Sequence, residues 1–208
     1  MTRLVLASTS PTRRMLLANA GFVFDALAPL IDEREVEAPL LAAGHRPADI
    51  ALSLAKAKAE SVSALMPERM VIGADQILEF QGERLTKADS IAQACRQLLA
   101  LAGHPHALHS ALCIASNGRT IWSHIETAVL TMRSLSPEEI DSYLSRIGSD
   151  ALTSVGAYQL EGIGINLFER VEGDHFAVLG FPLLPLLAFL RTIGINCWNQ
   201  SSSPTGKE

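Results

Sequence analysis

The chain has 208 residues, 48% of them hydrophobic, which is enough for one sizeable core and too apolar for a disordered chain. Its formal net charge of −5 excludes a broad electrostatic grip on nucleic acid, which needs a basic surface, but not a small anion held in a local cationic pocket. The most apolar uncharged run, 176–190, contains Pro182 and Pro185 and falls short of the roughly 20 apolar residues of a membrane span, so neither a membrane nor a nucleic acid is expected as a partner.

Leu4 to Ala7 reads as a short buried strand. A helix follows at once, with Ser10 as its N-cap, Pro11 at its first position and Gly21 ending it. Phe22 to Ala28 reads as a second strand, and Pro47 to Leu65 is the strongest helical stretch. Val71 to Phe80 is a strand that Gln81-Gly82 can turn back on itself. Asp89 to Ala102 is helical. Two extended runs, Ala107 to Ala115 and Thr120 to Met132, flank Asn117-Gly118, a hairpin signal because both residues tolerate positive φ. Ser136 and Glu139 have capping-box spacing for a helix that Gly148 ends. After a glycine-punctuated segment, Gly156 to Gly164, a strand is expected from Ile165 to Val171 and an apolar helix from Pro182 to Ile193. This alternation with one long hairpin predicts an α/β fold with a mixed sheet. It is expected as a single domain over residues 1–196, with a polar, frayed tail from 197 to 208. The apolar last helix serves either as core or as a homodimer surface, core being commoner.

The three cysteines are widely spaced and odd in number, which suggests neither a disulfide framework nor a zinc knuckle and fits a reduced cytoplasmic setting. The N-terminus turns polar too soon for a signal peptide. Several segments can carry chemistry. Ser8 to Arg14 joins a strand end to a helix start, where amides favour anions, and its two arginines oppose the helix dipole unless an anion occupies the turn. A solvated, capped helix explains it equally well. Asp75, following Val71-Ile72-Gly73-Ala74, is a near-buried carboxylate that a metal ion or a lysine would stabilise. The adjacent acids Asp32-Glu33 read as surface loop, with a role in a magnesium site as the sharper alternative. Lys56 and Lys58 read as a solvated helix face. The glycines of 156–164 fit either a close backbone approach or a bulged strand. His104 and His106 share a strand face and could bind metal, though a partly exposed strand start is the commoner meaning. Neither a Walker A motif nor a dinucleotide fingerprint is present.

In order along residues 3 to 195, these segments resemble the Maf-like family of nucleoside triphosphate pyrophosphatases. The resemblance is carried by Leu6-Ala7-Ser8-Thr9-Ser10-Pro11-Thr12-Arg13-Arg14, Asp32-Glu33, Lys58-Ala59, Gly73-Ala74-Asp75-Gln76, Lys87, Gly156-Ala157-Tyr158, Glu161-Gly162 and Gly180-Phe181-Pro182. It implies a two-lobed α/β fold in which helices flank an elongated mixed sheet and a cleft lies between the lobes. It also implies a divalent cation, Mg2+ or Mn2+, and hydrolysis of a nucleoside triphosphate to monophosphate and pyrophosphate. By position it implies Asp75 as general base; Ser8, Arg13, Arg14, Lys58 and Lys87 on the phosphates; Glu33 with Asp75 on the metal; and Thr12, Gln76 and Glu161 at the base. Gln76 and Glu161 are similar to the 7-methyl-GTP branch, which usually has Trp where this chain has Thr12. A pyrimidine pyrophosphatase acting on dTTP or UTP and a non-catalytic nucleotide-binding regulator of septum formation stand as alternatives. Ala88 replaces the family's usual Pro after the lysine and is expected to loosen the loop of Lys87.

Overall fold

The computed structural model describes residues 4–199; most of the expected tail lies outside the described residues. Seven strands form one mixed sheet: β1 (Leu4–Ala7), β2 (Phe24–Leu27), β3 (Met70–Phe80), β4 (Glu83–Leu85), β5 (Pro105–Ser116), β6 (Arg119–Met132) and β7 (Phe168–Glu172). Their order is β2-β1-β3-β5-β6-β7, with β4 paired to β3 off this path. β1 is parallel to both β2 and β3, and the remaining pairs are antiparallel. The helices are α1 (Pro11–Asn19), α2 (Glu33–Ala42), α3 (Pro47–Leu65), α4 (Ile91–Leu101), α5 (Pro137–Ile147), α6 (His175–Val178) and α7 (Leu183–Thr192). No described helix is long and apolar enough to cross a membrane.

Local chemistry explains most boundaries. The Ser10 side chain accepts from the Arg13 amide at the start of α1, and Ser136 and Glu139 form the full capping box of α5. Asn117 and Gly118 both have positive φ, 52° and 70°, so the β5–β6 turn twists with its strands. Gln81 and Gly82 make the same kind of turn between β3 and β4.

Three sequence expectations are corrected. The acids at 32–33 are not loop: Asp32 caps α2 by accepting from the Arg34 amide, and Glu33 is the first residue of that helix. The strand expected from Ile165 begins only at Phe168, because Ile163–Leu167 coil into a 3-10 helix. The glycine segment is likewise short 3-10 turns rather than a bulged strand.

The alternation of β3 organises the core. Gly73 and Ile77 face α3, Ile77 packing with Ile50, Leu54, Ala55 and Ala59. On the other face Ile72 and Ala74 pack with Leu16 and Leu17 of α1 and Leu186 and Leu190 of α7. Further along, Leu78 joins α4 and α5 through Leu98, Ile140 and Leu144. Leu186 and Leu190 are fully buried in this way, so the inner face of α7 is core and not an open dimer surface; Leu184 is its exposed large hydrophobe.

Gly73 permits the closest approach. A Cβ there would lie 2.2 Å from the Ala55 carbonyl oxygen and 2.7 Å from the Ala59 nitrogen, both backbone atoms of α3 that cannot step aside alone. Gly73→Ala is therefore expected to destabilise the fold by about 1–3 kcal/mol or more. Chemical denaturation of both proteins checks this, and an unchanged midpoint would mean that α3 shifts freely.

Candidate active site

A cleft of about 940 Å3 opens where β1, β3, α2 and the β4 hairpin meet, a volume suited to a nucleotide-sized ligand. Nine of the ten residues singled out in the sequence line it: Ser8, Thr12, Arg13, Glu33, Lys58, Asp75, Gln76, Lys87 and Glu161. The tenth, Arg14, is exposed and folds back, its guanidinium donating to the Ser8 carbonyl at 3.2 Å.

Asp75 is 7% exposed, as its place inside β3 dictates. Its partner is Lys58, itself buried, whose ammonium donates to Asp75 Oδ1 at 2.6 Å and reaches Glu33 Oε1 at 2.8 Å. Lys58 is thus no solvated helix lysine; the tight packing of α3 on Gly73 places it over the carboxylate. Burial pushes the Asp75 carboxyl above its usual value, against the pull of Lys58 and Arg13.

Arg13 spans the floor. Its Nη1 donates to the Ala74 carbonyl at 2.8 Å and its Nε to the Gly180 carbonyl at 3.0 Å. Burial lowers the guanidinium's pKa, partly offset by Asp75 and Glu33. Two carbonyls therefore take up the Arg13 charge, for which the sequence leaves an anion in the helix turn and solvent as equal alternatives. Ser8 Oγ accepts from the Ser10 amide at 3.2 Å, fixing the turn before α1.

Gln76, next to Asp75, points to the opposite face of the sheet. Its Nε2 donates to the carbonyls of Ala177 and Val178 at 3.1 and 3.0 Å and lies 3.0 Å from Ser110 Oγ. These contacts occupy the amide nitrogen and leave the oxygen to accept from a ligand. Glu161 is exposed at the rim.

Lys87 follows β4 in a loop tied to α4. Gln97 donates to the Thr86 carbonyl, and the Asp89 amide donates to Gln93, both at 2.9 Å. Ala88 is buried in the α4–α5 core. The loop is thus held by two glutamines and a buried methyl group.

Sequence reasoning missed Glu37 and Arg84, which form an ion pair in the cleft wall. Buried Glu37 follows Glu33 by one helical turn, a spacing that carries meaning only once Glu33–Ala42 is known to be helical. Tyr158, also in the lining, is bonded to His106 Nε2 at 2.7 Å. Burial pushes the His106 imidazole down to about 4, so it stays neutral. His104 Nδ1 instead bonds the Ala102 carbonyl at 2.8 Å. The two imidazoles are thus tied to different partners and do not form a metal pair. Among the described residues no group of three or more His, Cys, Asp or Glu side chains could hold a metal ion.

Glu33 and Asp75 nonetheless suit a hard cation. Their oxygens already converge on one positive atom, Lys58 Nζ, and magnesium typically takes one or two carboxylates together with substrate phosphates and waters. The lining as a whole carries five carboxylates (Glu33, Glu37, Asp75, Asp150 and Glu161) against four cations (Arg13, Lys58, Arg84 and Lys87). A polyanion entering alone meets a net negative wall, and one entering with a divalent cation does not.

An NMR titration of the Asp75 carboxyl is expected to show a midpoint above the 3.8 of an ordinary aspartate. Lys58→Met should move it higher still, because the lost charge favours the ionised form. A midpoint below the ordinary value would mean that Lys58, not burial, governs Asp75.

Comparison with known proteins adds to this geometry. A family profile described as Maf-like protein matches residues 3–193. A Rhizobium etli protein named 7-methyl-GTP pyrophosphatase is 52% identical over 192 residues, covering 92% of this chain and 96% of the relative. A Nitrobacter hamburgensis protein named nucleoside triphosphate pyrophosphatase is 50% identical over 193 residues, 92% of this chain and 94% of the relative. A Bradyrhizobium diazoefficiens protein of the same name is 53% identical over 190 residues, 91% and 93% of the two chains.

Proposed function

The chain belongs to the Maf-like family, and on that premise we propose that it hydrolyses a nucleoside triphosphate to the monophosphate and pyrophosphate. The observation that carries this reading is the convergence of Glu33 and Asp75 on Lys58, with Arg13 and Lys87 lining the same cleft. That set offers a poised base, cations for phosphates and a carboxylate pair for a metal, whereas a regulator that only binds nucleotide has no use for a base.

The residue chemistry gives a mechanism. Ser8, Arg13, Lys58 and Lys87 hold the phosphates, since catalysis of such transfers is mostly positioning and charge stabilisation. Arg14 joins them only by reorienting from the Ser8 carbonyl. Glu33 and Asp75 would hold the divalent cation, Mg2+ or Mn2+, which when bound neutralises phosphate charge and acidifies water. Asp75 takes the proton of a water whose oxygen bonds to the α-phosphorus, while the bond from that phosphorus to the bridging oxygen breaks and pyrophosphate leaves. A carboxyl raised by burial is a better base than an ordinary aspartate and must be ionised to act.

For the base, Gln76 and Glu161 offer two acceptors, which favours the donor edge of a guanine-type purine over a pyrimidine. The relatives named for 7-methyl-GTP agree with that choice. Thr12 lines the cleft where a ring could stack but supplies only a hydroxyl and a methyl group. We place the protein in the cytoplasm, as its free cysteines suit, acting on a small nucleotide rather than on nucleic acid.

The purified protein with Mg2+ or Mn2+ is expected to release pyrophosphate from 7-methyl-GTP or GTP faster than from dTTP, UTP or CTP. A pyrimidine preference would keep the activity and overturn the base assignment. Asp75→Asn should lower kcat by about 10²–10⁴-fold, and near-normal turnover would remove Asp75 as the base.

A further inference from the structure

Arg84 and Glu37 belong to no part of this mechanism, yet both line the cleft and bind each other. Glu37 is 7% exposed, unusual for a carboxylate on a ten-residue helix whose other carboxylates, Glu33 and Glu35, are exposed. Burying it is costly unless a cation pairs with it, and the Arg84 guanidinium is that cation.

What the pair joins gives it meaning. α2 carries Glu33 one turn before Glu37, so the two carboxylates share a helix face. β4 carries Arg84, and three residues on comes Lys87. β4 is three residues long and pairs only with β3, so its own hydrogen bonds fix it weakly. The loop beyond is tied to α4 through Gln93 and Gln97, and α2 is packed on the α3 cluster through Val36 and Leu40. Glu33 and Lys87 therefore stand on separately anchored elements that face each other over one ligand.

We propose that Glu37 and Arg84 are positioning residues: their ion pair clasps α2 to the β4 hairpin and sets the distance across the cleft between the Glu33 carboxylate and the Lys87 ammonium. The role rests on the phosphate and metal assignments above. Neither residue touches the reacting atoms. When the clasp is cut, Glu33 and Lys87 keep their chemistry but no longer meet the same triphosphate at once. The loss then falls on substrate and metal binding rather than on the fraction of folded enzyme.

The test uses full-length Glu37→Gln, which keeps the shape, Arg84→Met, Arg84→Lys and the double variant Glu37→Gln/Arg84→Met. Circular dichroism establishes that each is folded. Both Glu37→Gln and Arg84→Met are expected to raise KM for the triphosphate and the metal concentration for half activity by about tenfold or more. kcat should change less, and the double variant should be no worse than the poorer single one. Arg84→Lys, which keeps the charge, should recover part of the loss. A merely structural role lowers the active fraction and leaves KM unmoved, and that result overturns the proposal. Loss in Arg84→Met with a normal Glu37→Gln also overturns it, since Arg84 would then bind phosphate directly.

A readout without turnover separates this from failure of the functional reading. Amide hydrogen exchange in residues 83–88 should be faster in Glu37→Gln than in the wild type. Unchanged exchange overturns the clasp whatever the activity. A wild type without pyrophosphate release overturns the functional reading, and with it the catalytic meaning of the clasp.

Discussion

The contact of α3 with β3 at Gly73 is the constraint on which the rest depends. Backbone atoms of Ala55 and Ala59 occupy the space a side chain would need. That proximity brings Lys58 down to Asp75 two residues along the strand, at 2.6 Å. Each makes the other's burial tolerable: an isolated carboxylate or ammonium in this place would be strongly disfavoured. The sheet thus holds the proposed base in a partly desolvated setting, its carboxyl raised by burial against the pull of Lys58 and Arg13. Glu33 completes the cluster from α2, and Arg13 closes it from below by donating to the carbonyl of Ala74.

Around this centre the cleft divides its work by element. The turn after β1 and the start of α1 supply Ser8 and Arg13, α3 supplies Lys58, and the β4 hairpin leads to Lys87. The lining mixes five carboxylates with four cations, a balance that suits the proposed metal–nucleotide complex better than a bare polyanion.

Much of this was legible in the residues. The turn at Asn117-Gly118, the cap at Ser10 and the capping box at Ser136 were readable because each is a local device whose residues lie within a few positions. Asp75 stood out because an acid is costly inside an apolar strand, and of the two stabilisers named for it the lysine is the one found beside it, Lys58 at 2.6 Å. α2 was not legible. Pro39 lies inside it, where proline removes a donor and usually ends a helix, and its apolar face is short. With α2 hidden, Glu37 could not be aligned with Glu33, and its partner Arg84 lies far off in sequence. Of the two readings of the glycine segment, the close approach holds, with a Cβ at Gly164 only 2.4 Å from the Gln159 carbonyl oxygen; the bulged strand does not, because 3-10 turns and bulges draw on the same residues. Ala157 takes a positive φ of 61° there, a strain that no residue-type preference announces. The tie of His106 to Tyr158 was equally out of reach, since it depends on the chain returning from one side of the core to the other.

The alternation of β3 separates two tasks that sit one residue apart. Asp75 turns toward α3 and the phosphate chemistry, while Gln76 turns toward α6 and the carbonyls that fix its amide. If Gln76 reads the base as proposed, position 76 can therefore be varied with the proposed hydrolytic centre left alone. Length is another matter. A single residue inserted or deleted in β3 ahead of this pair would exchange the faces to which the proposed base reader and the proposed proton acceptor turn in one step. Tolerance of substitution and intolerance of frame are two sides of the same pleat.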